Sequence, residues 1–153
     1  MPLDVKRFAE FLTGEGYRPS VDQDRFVTFK HEGGFYYVDL DPTDRSYVRV
    51  VFPGFWKLAG PEDLQRALAA ANVATLTIKT AKVVIIPDES KVSAAVELFV
   101  QTAEQLEAML PRCLTCLQAA VRRFGEEMDR RTVDPSPPVA FVRRFGAWPP
   151  KGN

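Results

Sequence analysis

The sequence predicts an α+β domain. One antiparallel five-stranded sheet carries helices packed mainly on one face, in the order α-β-β-β-α-β-β-α, followed by a C-terminal tail. Three observations carry this reading. Short turn-forming segments join runs of β-branched and aromatic residues, which makes consecutive strands antiparallel neighbours. Apolar residues recur at three- and four-residue spacing near both ends of the first 131 residues. Composition then shifts at residue 132 to Thr-Val-Asp-Pro-Ser-Pro-Pro. The domain is therefore placed at residues 1–131, with a proline-rich linker and apolar tail at 132–153.

Charge and composition narrow the function. The 153 residues hold 20 Lys and Arg against 20 Asp and Glu, a formal net charge of zero. A dedicated nucleic-acid binder needs surplus positive charge to displace counterions, so no nucleic-acid partner is expected. One His and two Cys leave little material for a metal site, and neither metal nor cofactor is expected. No run approaches the roughly 18 apolar residues of a spanning helix. The first residues mix charges from Asp4 onward without an apolar leader core. The expectations are no membrane partner and a cytoplasmic location.

The first helix is predicted over residues 3–12, with Leu3, Phe8, Phe11 and Leu12 near one face and Asp4 at the positive end of the helix dipole. Gly14 and Gly16 end it. Strands follow at 26–31, 35–40 and 47–52, separated by the tight turn Glu32-Gly33-Gly34 and by Asp41-Pro42-Thr43-Asp44. Pro53-Gly54 is expected to break the third strand. Pro61, Glu62 and Asp63 then open a helix over 61–72, with Leu64 and Leu68 on its inner face. A fourth strand is read at 76–86 and a fifth at 92–100, where Val92, Ala94, Val96, Leu98 and Val100 share one side. Thr102 and Gln105 resemble a capping box before a short helix at 103–109, and Pro111 opens a separate, longer helix. On that last helix Leu110, Leu114, Leu117, Val121, Phe124 and Met128 step by 4, 3, 4, 3 and 4, a stripe suited to lying on a sheet.

Few residues carry a chemical signal. Cys113 and Cys116 form a C-x-x-C near a helix start, where a dipole lowers thiol pKa values. On a helix, however, i and i+3 side chains stand about 5–6 Å apart at Cβ, beyond the roughly 3.8 Å of a disulfide. No second cysteine pair exists to complete a zinc site. Asp39, Asp41 and Asp44 could act as acid and base, but their placement is that of turn residues. His31 stands alone at a strand end. The expectation is a non-enzyme. The alternatives are a small ligand-binding sensor or a small enzyme using Cys113 or the Asp39/Asp41 pair.

The strand faces say more. Val27, Phe29, Tyr36, Val38, Leu40, Val48, Val50 and Phe52 fall on one face, the natural core. Phe26, Thr28, Lys30, Phe35, Tyr37, Asp39, Tyr47, Arg49 and Val51 fall on the other, a mixture rich in Tyr, Phe and Arg that suits an interface. The candidate protein-contact residues are Phe35, Tyr37, Tyr47, Arg49, Phe55 and Trp56, joined by the tail residues Phe141, Phe145 and Trp148. The tail residues Val139, Phe141, Val142, Phe145 and Trp148 are expected to dock on the protein itself, with a sister subunit or another protein as the alternative surfaces.

The order of these pieces resembles the YbjN family, which is similar in fold to the bacterial type III secretion chaperones. The resemblance runs from about residue 3 to 128. It is carried by the hairpin 26–41 with Gly33-Gly34, the strand 47–52, the helix 61–72, the strand pair 82–100 and the helix 110–128. It implies an α+β domain, often dimeric, that binds proteins. The secretion chaperones tend to be acidic, whereas this chain is neutral, and the tail lies outside the pattern. The expected function is a non-enzymatic, chaperone-like or regulatory protein-binding module acting as a homodimer.

Overall fold

Asp4 caps the first helix, its Oδ1 accepting the Arg7 N–H at 2.8 Å. From there a computed structural model describes residues 3–136. Helix α1 spans Val5–Gly14 and buries Phe8 and Leu12. Gly16, at φ 90°, reverses the chain. A two-residue strand β1, Ser20–Val21, then pairs with the start of β2, Val27–His31. This makes six strands where five were expected. β1 is too short to show alternation, so its polar surroundings hid it.

Strands β2 and β3, Gly34–Leu40, form a hairpin through Glu32 and Gly33, at φ 46° and 79°. Two consecutive positive φ values match the right-handed twist of the flanking strands. Gly34 belongs to the strand and not to the turn. A Cβ there would come within 2.7 Å of the Tyr36 ring, so its role is close packing. Strand β4, Tyr47–Lys57, runs on through Pro53-Gly54. The break expected there is a bulge between Phe52 and Trp56. Gly54, at φ 57°, donates its N–H to Ser93 Oγ at 2.9 Å, so an outside partner satisfies the irregular backbone.

Helix α2, Pro61–Thr77, extends five residues past the expected end at 72, so the strand read at 76–86 shrinks to β5, Ala81–Ile86. Its inner face is Ala67, Ala70, Ala71, Val73 and Ala74, while Leu68 is 50% exposed. Small side chains let α2 lie close to its neighbours, and that contact keeps the β-branched residues near its end helical. A short 3-10 turn, Pro87–Glu89, leads to β6, Lys91–Phe99. The sheet order is β1-β2-β3-β4-β6-β5, antiparallel throughout. α2 thus carries the chain past one strand position to the edge, and β6 returns to fill the gap beside β4.

Helix α3, Ala103–Val133, is one continuous helix of 31 residues with Pro111 inside it, not two. Thr102 Oγ1 accepts the Gln105 N–H at 3.2 Å, while the Gln105 side chain reaches back to the Gln101 N–H at 2.6 Å. Proline removes one helical hydrogen bond, at a cost of about 3 kcal/mol. The buried stripe on both sides of it, Leu106, Leu110, Leu114 and Leu117, outweighs that loss, and Pro111 itself is exposed. The expected stripe is buried at Leu110, Leu114, Leu117, Phe124 and Met128 and half-buried at Val121. Phe124 meets the rings of Phe55 and Trp56 nearly edge-on, at 5.3 and 5.4 Å. Replacing Phe124 by Ala should cost about 3–5 kcal/mol in urea unfolding, the range for a fully buried phenylalanine.

One carboxylate is wholly enclosed near the end of α3. Glu127 contacts Arg130 at 2.6 Å, Arg131 at 2.8 Å and Arg123 at 3.5 Å. The hydrogen bond from Arg130 is the main reason its carboxyl is held below the usual glutamate value. A depressed carboxyl stabilises the fold above its unfolded pKa and loses that contribution as pH falls through the folded value. Glu127→Gln should therefore be less stable at neutral pH, with a shallower loss of melting temperature on acidification below about pH 5.

Candidate protein interface on the open sheet face

Strand alternation sends one set of side chains towards the helices and leaves the other set uncovered. Val27, Phe29, Tyr36, Val38, Val48, Val50, Val92, Ala94, Val96, Ala81 and Val83 face α1, α2 and α3 and form the core. Among the described residues no helix covers the opposite face.

Register aligns that open face into rows. Tyr47 pairs with Phe99, Arg49 with both Asp39 and Glu97, and Val51 with both Tyr37 and Ala95. Arg49 Nη2 meets Asp39 Oδ2 at 2.7 Å, and Lys82 Nζ meets Glu97 Oε2 at 2.5 Å. Asp39, Arg49 and Glu97 share one row, and Lys82, which stands opposite Ala95, reaches Glu97 diagonally, so the charged groups alternate − + − + across β3, β4, β6 and β5. Hydrogen bonding to Asp39 raises the Arg49 guanidinium further, against its partial burial. Burial works to raise the Glu97 carboxyl, but hydrogen bonds from Lys82 and Tyr47 outweigh it and hold the group below its usual value. The Tyr37 and Tyr47 phenols are pushed up, first by burial.

Aromatic rings flank this ladder. Phe26 stacks on Tyr37 at 4.8 Å, and Tyr47 lies 5.8 Å from Phe99. Phe35 is 47% exposed and Phe99 72%. Between them Val51 is nearly closed off. The predicted contact residues Phe35, Tyr37, Tyr47 and Arg49 thus share one face. Phe55 and Trp56 do not join them. The β4 bulge turns both towards α3, where they pack on Phe124. Phe141, Phe145 and Trp148 lie outside the described residues. Sequence reasoning missed Phe99, Glu97 and Lys82. The alternation that assigned Leu98 and Val100 to the core leaves Phe99 and Glu97 on the other side, a signal present but unused.

The other chemical candidates sit in ordinary surroundings. Because α3 starts at Ala103, Cys113 and Cys116 lie well inside the helix and not near its start, beyond reach of the dipole. Burial pushes the Cys113 thiol up to about 11. Asp41 Oδ1 accepts the Thr43 N–H at 2.7 Å and the Asp44 N–H at 3.2 Å, which fixes the β3–β4 turn. His31 Nδ1 lies 2.9 Å from Tyr17 Oη. Among the described residues no three His, Cys, Asp or Glu side chains gather to hold a metal, and no helix is long and apolar enough to cross a membrane.

Compared with known proteins, the chain matches no family model and no curated protein.

In the Cys116→Ser variant, Cys113 should resist a thiol reagent at neutral pH and react at its normal rate in denaturant, since only the thiolate attacks. Rapid labelling of the folded variant would overturn that reading of Cys113.

Proposed function

We propose that the chain is a cytoplasmic, non-enzymatic protein-binding module, chaperone-like or regulatory, that acts as a homodimer through its open sheet face. The observation that carries this reading is the alternating charge row between exposed aromatic rings. A two-fold axis parallel to the strands, between β4 and β6, reverses the row of the second copy. Arg49 then meets Glu97 of the sister chain, and Asp39 comes towards the ammonium of its Lys82, which leans into that row to reach Glu97. An axis along the row would set Asp39 on Asp39. Charge therefore selects one of the two face-to-face arrangements.

The same operation pairs the other rows: Tyr47 meets Phe99, and Val51 meets Ala95. Each buried aromatic ring stabilises by roughly 1.5–3 kcal/mol before the cost of association, so a few such rings suffice for a dimer. The resemblance of the element order to the YbjN family points the same way and belongs to the same proposal.

Sedimentation at tens of micromolar, about the affinity range in question, should show a dimer. Phe99→Glu should sediment as a monomer that keeps its native circular dichroism, because that ring stands mostly in solvent and its loss leaves the core intact. Leu68→Glu, an equally polar change on exposed α2, should remain dimeric. A monomeric parent, or a Phe99→Glu dimer, would refute the arrangement.

A further inference from the structure

We propose that the cleft beside the free half of the β2 edge binds a small aromatic carboxylate. The site rests on how little of β2 is covered. β1 pairs only with Val27 and Thr28, and the residues 16–19 before it add no further ladder pair to β2. This leaves a cleft of about 550 Å³, within the size range of small-molecule sites.

Its lining has one electrostatic sign. Arg18 and Lys30 border it together with the hydroxyls of Ser20 and Thr28 and the rings of Tyr17 and Phe35, and no carboxylate is among the lining residues. Among the described residues neither Arg18 nor Lys30 has an ion-pair partner. Three further clefts on the surface each mix acids with bases, as at Asp4, Asp41, Arg25 and Arg45. Two acids outside the lining act on the Tyr17 wall, Glu15 and Glu32, and Gln118 of α3 holds Glu32 by donating its Nε2 to it at 2.9 Å.

The backbone adds a donor. Phe26 accepts the Asp22 N–H at 3.1 Å on the β1 side. By antiparallel alternation Thr28 and Lys30 turn their peptide groups to that same side. β1 covers Thr28 but ends before Lys30, whose N–H therefore faces the cleft.

The walls set the rest of the ligand. Tyr17 is locked by an edge-on contact with Phe29 at 5.2 Å and by the hydrogen bond to His31 Nδ1. Phe35 borders the same cleft from the open face of the sheet. An apolar body lying along the strand edge would have both rings to contact, and a carboxylate at its end would meet two cations and a peptide N–H. A neutral ligand of the same shape would leave both cations unanswered, so recognition depends on the charge.

Titration calorimetry with naphthalene-2-acetate and with naphthalene-2-acetamide separates these contributions. The acid should bind with a Kd below about 1 mM, at least about tenfold tighter than the amide, and added salt should weaken it. Arg18→Gln and Lys30→Gln should each weaken the acid and leave the amide, the melting temperature and the sedimentation behaviour unchanged. No binding of the acid, equal binding of acid and amide, or unaltered binding in both variants would overturn the proposal. Because sedimentation is read on the same variants, failure of this site is distinguishable from failure of the dimer.

Discussion

A six-stranded sheet has two faces, and the described chain supplies helices for only one of them. That asymmetry governs the rest of the structure. The covered face is built from β-branched and aromatic residues that close against the helices, chief among them the 31-residue α3, which packs on β4, β5 and β6. α2 and α1 fill the two flanks, against β5 and β2. The uncovered face must satisfy itself with side chains. It does so by pairing charges across strands and by stacking Phe26 on Tyr37 beside Val51, a balance that neither a dry core nor a fully polar surface would need.

β4 is where the two sides are kept apart. It pairs with β3 and β6 along its first half and places Tyr47, Arg49 and Val51 on the open face. Past Phe52 the bulge breaks the period of two, so the neighbouring residues Phe55 and Trp56 both reach Phe124. A regular strand would have sent one of these rings to the open face. The bulge thus gives the core two large rings from consecutive positions, and it does so at Pro53-Gly54, where proline is tolerated because the ladder is already interrupted.

Much of this was legible from local pattern. Alternation in the three central strands assigned the faces correctly, and the Leu110–Met128 stripe identified the buried side of α3. Punctuation was less trustworthy. Pro53-Gly54 and Pro111 both read as ends, yet each lies inside an element, since neighbouring strands and a continuous buried stripe outweigh one lost hydrogen bond. Leu68 read as core because it is large, while the packed face of α2 is alanine, which only a close neighbour explains. Strand order was not legible at all. That β6 returns between β4 and β5 follows from where α2 delivers the chain, and this placement alone brings Glu97 beside Arg49. The charge ladder is therefore a tertiary feature, written in no single stretch of sequence.

The sheet edges favour face-to-face association over strand addition. At β5 the Val83 N–H is already donated to the Thr75 hydroxyl of α2 at 2.9 Å, so the backbone there is not free to pair with another strand. At the other edge β1 is two residues long, too short to template a neighbour. Lys30 and Lys82 place ammonium groups near the two flanks of the open face, a further brake on edge-to-edge stacking. What remains available is the broad face itself, where charges interspersed with rings discourage indiscriminate contact but suit a partner whose charges fall in the opposite order. A second copy turned about an axis along the strands has that order. The cleft at Lys30 lies at the rim of this face and shares Phe35 with it, so a ligand held there would touch a ring that also belongs to the interaction surface. Small-molecule binding and association would then be linked through one side chain. By the reciprocity of linked equilibria, any change the ligand makes in dimer affinity must be matched by the change dimerisation makes in ligand affinity.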